Sequence, residues 1–265
     1  MPPTCATWVA TATAVLLTAG PAEARASREA QRGADVPLVA LSQVAPDIRQ
    51  SMRYASPANF TGRIVPGYEA GECWLRPAAA AALAKVQADL ATADPPLSLD
   101  VFDCYRPRRS VAAFMRWAKA GEDGATRGYY PRLERRSLVA QGYIAASSLH
   151  SRGIAVDLTI TPMRKAEPAP ASASANAVAG CTEPAASGGI DMGTSFDCFD
   201  PKSHTAHGGL TATQREARQT LKRAMERHGF VNYAKEWWHF TYPAADDGRS
   251  FDVPVTAPQA PARAP

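Results

Sequence analysis

Two short stretches hold most of the residues in this chain that could do chemistry. SLHSRGIAVD, residues 148–157, sets His150 seven positions before Asp157 around a small turn. EWWHF, residues 236–240, places Glu236 three positions before His239. On an unbroken strand, positions seven apart face opposite sides, so His150 and Asp157 would not meet. Ser151-Arg152-Gly153 supplies a turn or bulge that resets the phase, and Ala155 leaves room between the two side chains. His150, Asp157 and His239 then make a three-ligand zinc site with a fourth position for water. Glu236, near the ion without binding it, could take the proton of that water and deliver it to a leaving amine. Each stretch also has a plainer reading. The first fits a structural His–Asp hydrogen bond, and the second a half-buried aromatic strand with incidental polar ends.

A third stretch, Asp103-Cys104-Tyr105-Arg106-Pro107, closes an apolar run. Arg106 there could donate hydrogen bonds to a developing oxyanion. Asp103 could orient the arginine or a ligand histidine, as carboxylates behind metal sites do. The plainer reading is an Asp–Arg ion pair at a strand end. His204 and His207, in SHTAH, form a second possible metal pair and read as loop residues near the site.

These residues need elements to hold them. Helices are expected over Arg76–Ala93, with Leu83, Val86 and Leu90 on one face, and over about Arg109–Ala120 after Pro107. A third helix follows Thr211, whose partner Gln214 completes a capping box, and stops at Gly229. Its buried stripe is Ala217, Leu221, Ala224 and Met225. LSLDVFDCY, GIAVDLTI (153–160) and EWWHFTY (236–242) read as strands. Helices and strands in mixed order, with long irregular joins, favour an α+β fold: a small antiparallel sheet flanked by helices, in one domain over 36–254.

Within that domain, residues 161–189 are rich in Ala, Pro, Ser and Gly and read as a flexible insertion, and 255–265 as a disordered tail. At the other end, the apolar run ATWVATATAVLLTAG is followed by small residues at alternate positions, which marks residues 1–26 as a signal peptide. No Lys or Arg precedes that run, and it is short for a membrane span. Cys5 lies before the apolar core, where a lipidated cysteine would not. The expected location is therefore outside the cytoplasm, periplasmic or secreted, with no stable membrane insertion after signal removal.

Export would leave Cys73, Cys104, Cys181 and Cys198, an even number in an oxidising compartment. Of the three possible pairings, Cys73–Cys104 with Cys181–Cys198 is expected, because each ties a loop within one half of the chain. No C-x-x-C spacing occurs to suggest a Zn–Cys site. A net charge of +4 with no Lys/Arg block gives no footprint for nucleic acid. Oligomeric state is left open.

The pattern S-x-H-x-x-G-x-A-x-D followed by E-x-W-H resembles the zinc D-alanyl-D-alanine peptidase superfamily, and within it the dipeptidases of the VanX type. Arg53-Tyr54-Ala55, Asn59-Phe60-Thr61-Gly62, Gly67-Tyr68, DCYRPRRSVAAFMRWA, YYP at 129–131, MGTSFD at 192–197 and KSH at 202–204 extend the match in order from about Arg49 to Asp252. The resemblance implies one Zn²⁺ on His150, Asp157 and His239, with Glu236 as general base and acid. It gives Arg106 the tetrahedral intermediate, Asp197 the free ammonium of a dipeptide and Ser148 its terminal carboxylate. Tyr54 would line the pocket. A dipeptide offers few contacts, so both charged ends must be held to set its carbonyl in place.

The implied reaction is hydrolysis of D-alanyl-D-alanine to D-alanine in cell-wall peptide turnover. Two alternatives share the motifs: a D,D-carboxypeptidase acting on peptidoglycan stems, and a catalytically inactive binding protein for cell-wall peptides. Asp197 argues against the first, since an acylated chain would leave that carboxylate unpaired. Glu236 argues against the second, since a binding module needs no base. An export signal, the cysteines and the long Ala/Pro/Ser loop depart from the cytoplasmic resistance enzymes of this type.

Overall fold

The computed structural model describes residues 37–163, 180–181 and 189–259. The expected signal peptide, most of the 161–189 insertion and residues 260–265 lie outside the described residues. In chain order the elements are β1 (Val39–Ala40), α1 (Leu41–Val44), β2 (Arg49–Gln50), β3 (Trp74–Leu75), α2 (Pro77–Ala91), β4 (Leu97–Asp103), α3 (Arg108–Lys119), β5 (Ala155–Pro162), α4 (Ala212–Arg227), β6 (Val231–Asn232) and β7 (His239–Thr241), with short 3₁₀ turns between them. The fold is α+β, as the mixed order of motifs suggests.

Five strands form the main sheet in the order β2-β4-β5-β7-β6; β2 runs parallel to β4 and the other neighbours are antiparallel. A second, two-stranded sheet joins β1 to β3. The central strands β4 and β5 are buried on both faces, so they read as near-continuous apolar runs rather than as alternating ones. Helix α2 opens with Pro77 in its first turn, where a missing N–H costs nothing, and buries Leu83, Val86 and Leu90. Helix α4 has the expected capping box between Thr211 and Gln214 and buries Ala217, Leu221, Ala224 and Met225.

The sheet register places the chemistry. Asp103 at the end of β4 pairs with Asp157 in β5, and Asp157 pairs in turn with His239 in β7. Three neighbouring strands therefore deliver a carboxylate, a carboxylate and an imidazole in one row. A register irregularity between Val101 and Asp103 sits at that end of β4.

Three sequence expectations change. EWWHFTY is not one strand, because β7 covers only His239–Thr241 and Glu236 sits in a turn, its N–H bonded to the Tyr233 carbonyl. Residues three apart on a strand face opposite sides, so this turn is what lets Glu236 and His239 share a cavity. The packed chain also runs past 254. Val255 is fully buried, pairs with Tyr68 and receives the N–H groups of Glu69 and Ala70 on its carbonyl. Thr161 and Pro162, assigned to the insertion, complete β5.

Both expected disulfides form, Cys73–Cys104 and Cys181–Cys198, with Cα atoms 5.2 and 4.6 Å apart.

Candidate active site

His150 lies in a 3₁₀ turn, Leu149–Arg152, ended by Gly153 at φ +71°. A Cβ at Gly153 would meet the Leu38 side chain, which can turn aside, so it is the left-handed conformation that calls for glycine. The Ser148 hydroxyl caps this turn by accepting from the His150 N–H at 3.2 Å. The turn resets the chain before β5, and His150 and Asp157 come together.

His150 Nε2 lies 3.1 Å from His239 Nδ1 and 3.3 Å from Asp157 Oδ1, while His239 Nδ1 is 2.9 Å from the same oxygen. Ligand atoms about 2.1 Å from a tetrahedral ion are spaced about 3.4 Å apart, so this triangle fits one face of a zinc coordination shell. The donor chemistry agrees. His150 Nδ1 is 2.6 Å from the Cys104 carbonyl, which can only accept, so the proton is on Nδ1 and the lone pair of Nε2 faces the other two ligands. His150 and Asp157 are buried and His239 half-buried. Burial alone would raise the Asp157 carboxyl, but His150 and His239 hold it well below the usual carboxylate range.

Glu236 stands beside this triad, Oε2 3.9 Å from His239 Nδ1. Burial, reinforced by the negative charge of Asp157, pushes its carboxyl up to about 8, against the opposing pull of Arg106. A bound cation would bring that value down and leave a base near neutrality.

Arg106 spans the row. Its Nε donates to Asp103 Oδ2 at 2.9 Å, and its Nη2 reaches Asp157 Oδ2 at 3.4 Å. The guanidinium lies over the Tyr54 and Phe114 rings, 5.2 and 5.0 Å from their centroids. Asp103 has no exposure, accepts the Tyr68 hydroxyl at 2.6 Å and approaches His150 Nδ1 at 3.5 Å.

Asp197 is also buried, at 4% exposure, and its carboxylate accepts the Tyr54 hydroxyl at 3.0 and 3.1 Å. Burial and then Asp157 push the Asp197 carboxyl well above its ordinary value. It is the one non-glycine with positive φ, +59°, among the described residues, which is a conformation Asp tolerates better than most.

The side chains meet at a cavity of about 280 Å³. Tyr54, Arg106, Ser148, His150, Asp157, Glu236 and His239 are on its wall, while Asp197 is reached through the Tyr54 hydroxyl behind it. The rest of the wall includes Phe114, Tyr143, Phe199 and Tyr233. Tyr143 and Tyr233 escaped the sequence reading because no local spacing marks them. Tyr233 packs edge-on against His239, and Tyr143 lies 3.3 Å from His204 Nε2, which puts His204 one residue behind the wall. His207 instead accepts the Gly209 N–H from within its own loop.

A largely buried His/Asp/His cluster at the end of this sheet, with an adjacent glutamate, is the layout of a metal-dependent peptidase. A family model described as D-ala-D-ala dipeptidase, peptidase family M15, matches residues 34–173 and 165–256. A D-alanyl-D-alanine dipeptidase of Enterococcus faecium is 34% identical over 217 residues, covering 81% of this chain and 96% of that protein. One from Streptomyces coelicolor is 34% identical over 78% of this chain and 93% of its own length. One from Escherichia coli is 29% identical over 78% and 86%. The chain belongs to the D-Ala-D-Ala dipeptidase family of metallopeptidases.

Proposed function

We propose that this chain is a zinc-dependent dipeptidase that hydrolyses free D-alanyl-D-alanine to D-alanine. The observation that carries the reading is the placement of Glu236 beside the His150–Asp157–His239 triangle, on the wall of one cavity with Arg106. His150, Asp157 and His239 would hold the ion, which when bound supplies Lewis acidity to the peptide carbonyl and to a water. Glu236 takes the proton from the attacking water and later returns it to the departing amine. Arg106, held by Asp103 and Asp157, donates to the carbonyl oxygen as negative charge builds there. Asp103 keeps Arg106 in place from behind.

The two ends of the dipeptide fix its position. The Tyr54–Asp197 pair takes the ammonium, and an arriving cation favours the charged form of Asp197. Ser148 takes the terminal carboxylate. An N-acylated substrate brings no ammonium and leaves Asp197 uncompensated, which selects free dipeptides over peptidoglycan stems.

Both disulfides suit an oxidising compartment, so the enzyme would act after export, in the periplasm or outside the cell, on dipeptide from cell-wall turnover. Among the described residues no helix is long and apolar enough to cross a membrane.

The test is D-alanine release from free D-Ala-D-Ala and from an N-acylated peptide ending in D-Ala-D-Ala, offered separately to zinc-loaded protein. Cleavage of the free dipeptide alone is expected. Cleavage of the acylated peptide would make the protein a carboxypeptidase and remove the role given to Asp197.

A further inference from the structure

We infer that the Cys73–Cys104 disulfide is a positioning element of the metal site, setting the carbonyl that orients His150. The inference rests on the reading of His150 as a metal ligand. Every residue of the segment 103–106 touches the site or its support. Asp103 accepts from Arg106, the Cys104 carbonyl meets His150 Nδ1 at 2.6 Å, Tyr105 N–H bonds to the Trp74 carbonyl, and the Arg106 carbonyl accepts the Ser151 hydroxyl. Cys104 follows Asp103, the last residue of β4. Beyond the ladder its peptide is held by the Tyr105 N–H on the Trp74 carbonyl, and its side chain by the disulfide, through a partner that is itself tied three ways. Cys73 N–H donates to Gln50 Oε1 at 2.6 Å, its carbonyl accepts the Leu41 N–H at 2.8 Å, and the following residue begins β3. Both cysteines are fully buried.

The consequence is specific to the metal. With the carbonyl held against Nδ1, His150 keeps its proton there and presents the Nε2 lone pair without a search over ring orientations or tautomers. Without the covalent tie the carbonyl keeps only the Tyr105 N–H bond to Trp74 and the Arg106 N–H bond to the His150 carbonyl as restraints, and the ligand-competent arrangement is held less tightly. Zinc affinity should fall, by the 10- to 100-fold that loss of a ligand's hydrogen-bond partner commonly costs. The bridge thus couples metal binding to an oxidising surrounding; the Cys181–Cys198 bridge lies beside Asp197 and Phe199 and carries no carbonyl that meets a ligand imidazole.

The test uses the full mature chain with Cys73→Ser and Cys104→Ser together. Zinc affinity is read by competition with a chromophoric chelator, and the ¹⁵N shifts of the His150 ring are read in the metal-free protein. The native chain should bind one zinc and show a single Nδ1–H tautomer. The double variant should bind zinc about 10- to 100-fold more weakly and show mixed tautomers, while Cys181→Ser with Cys198→Ser keeps native zinc affinity. A lower melting temperature with unchanged zinc affinity and an unchanged His150 tautomer would make the bridge merely structural and overturn the inference. Should the serine pair not fold, Cys73→Val with Cys104→Ala refills the buried volume without the tie; failure of both to fold would assign the bridge to the fold rather than the site. A native chain that binds no zinc would defeat the metal reading itself, a separate outcome.

Discussion

Glu236 makes the fold work against itself, and Glu236→Gln measures by how much. In the metal-free chain burial raises this carboxyl from 4.5 to about 8. Below pH 4.5 the folded and unfolded chains both carry the proton, and the residue adds no pH dependence. Between 4.5 and about 8 the unfolded chain releases the proton while the folded one keeps it, so stability falls by about 1.4 kcal/mol per pH unit. Above that range the full cost is reached, of order 4–5 kcal/mol and smaller where water relaxes around the carboxylate. Glutamine has the shape of the protonated acid and never ionises. Thermal unfolding of both proteins in excess chelator, from pH 4.5 to 9, should give nearly equal melting temperatures at the acid end. The variant should pull ahead as pH rises, by roughly 8–20 °C at pH 9 for the full cost, given about 2–4 °C per kcal/mol for a chain of this size. Zinc should shrink the gap by favouring the carboxylate. Groups far from Glu236 titrate alike in both proteins, so their effects cancel in the difference. A gap that is constant with pH, or that favours the native chain at pH 9, would refute the buried-base argument.

Other perturbations test the parts in turn. Gly153→Ala puts a Cβ on a left-handed backbone, while the Leu38 side chain it meets can turn aside, and should cost about 1–2 kcal/mol in urea unfolding; a loss under about 0.5 kcal/mol would mean the turn adapts freely. Arg106→Ala should lower kcat by about 10²- to 10³-fold with little change in KM, and a change in KM alone would limit Arg106 to substrate binding. Asp197→Ala should raise KM for the free dipeptide, and unchanged steady-state kinetics would sink its ammonium role.

How much of this was legible from the sequence follows from what a side chain can announce. The three ligand candidates and Glu236 stood out because chemistry of that kind needs particular residue types, and the turn at Gly153 was implied by the phase problem between His150 and Asp157. The capping box of α4 is a local signal and was readable at once. Other features left no such trace. The hold on His150 comes from a backbone carbonyl, that of Cys104, and any residue has one. Tyr68 reaches Asp103 across 35 positions and Tyr54 reaches Asp197 across 143, so neither pairing is encoded in spacing. The parallel pairing of the short β2 with β4 carries no alternation to read. The aromatic run before His239 looked like a strand because Trp and Phe favour strands, while the turn that turns Glu236 inward is set by the Tyr233 carbonyl. Val255 lies in a Pro- and Ala-rich tail whose composition hides one buried anchor.

The most direct test of the account compares zinc content and D-alanine release in the native chain and in Glu236→Ala, side by side. The account predicts one zinc per chain in both, and a loss of turnover by several orders of magnitude in the variant. Loss of zinc would make Glu236 a ligand, and retained turnover would place the proton transfer elsewhere; either result would contradict the site as described.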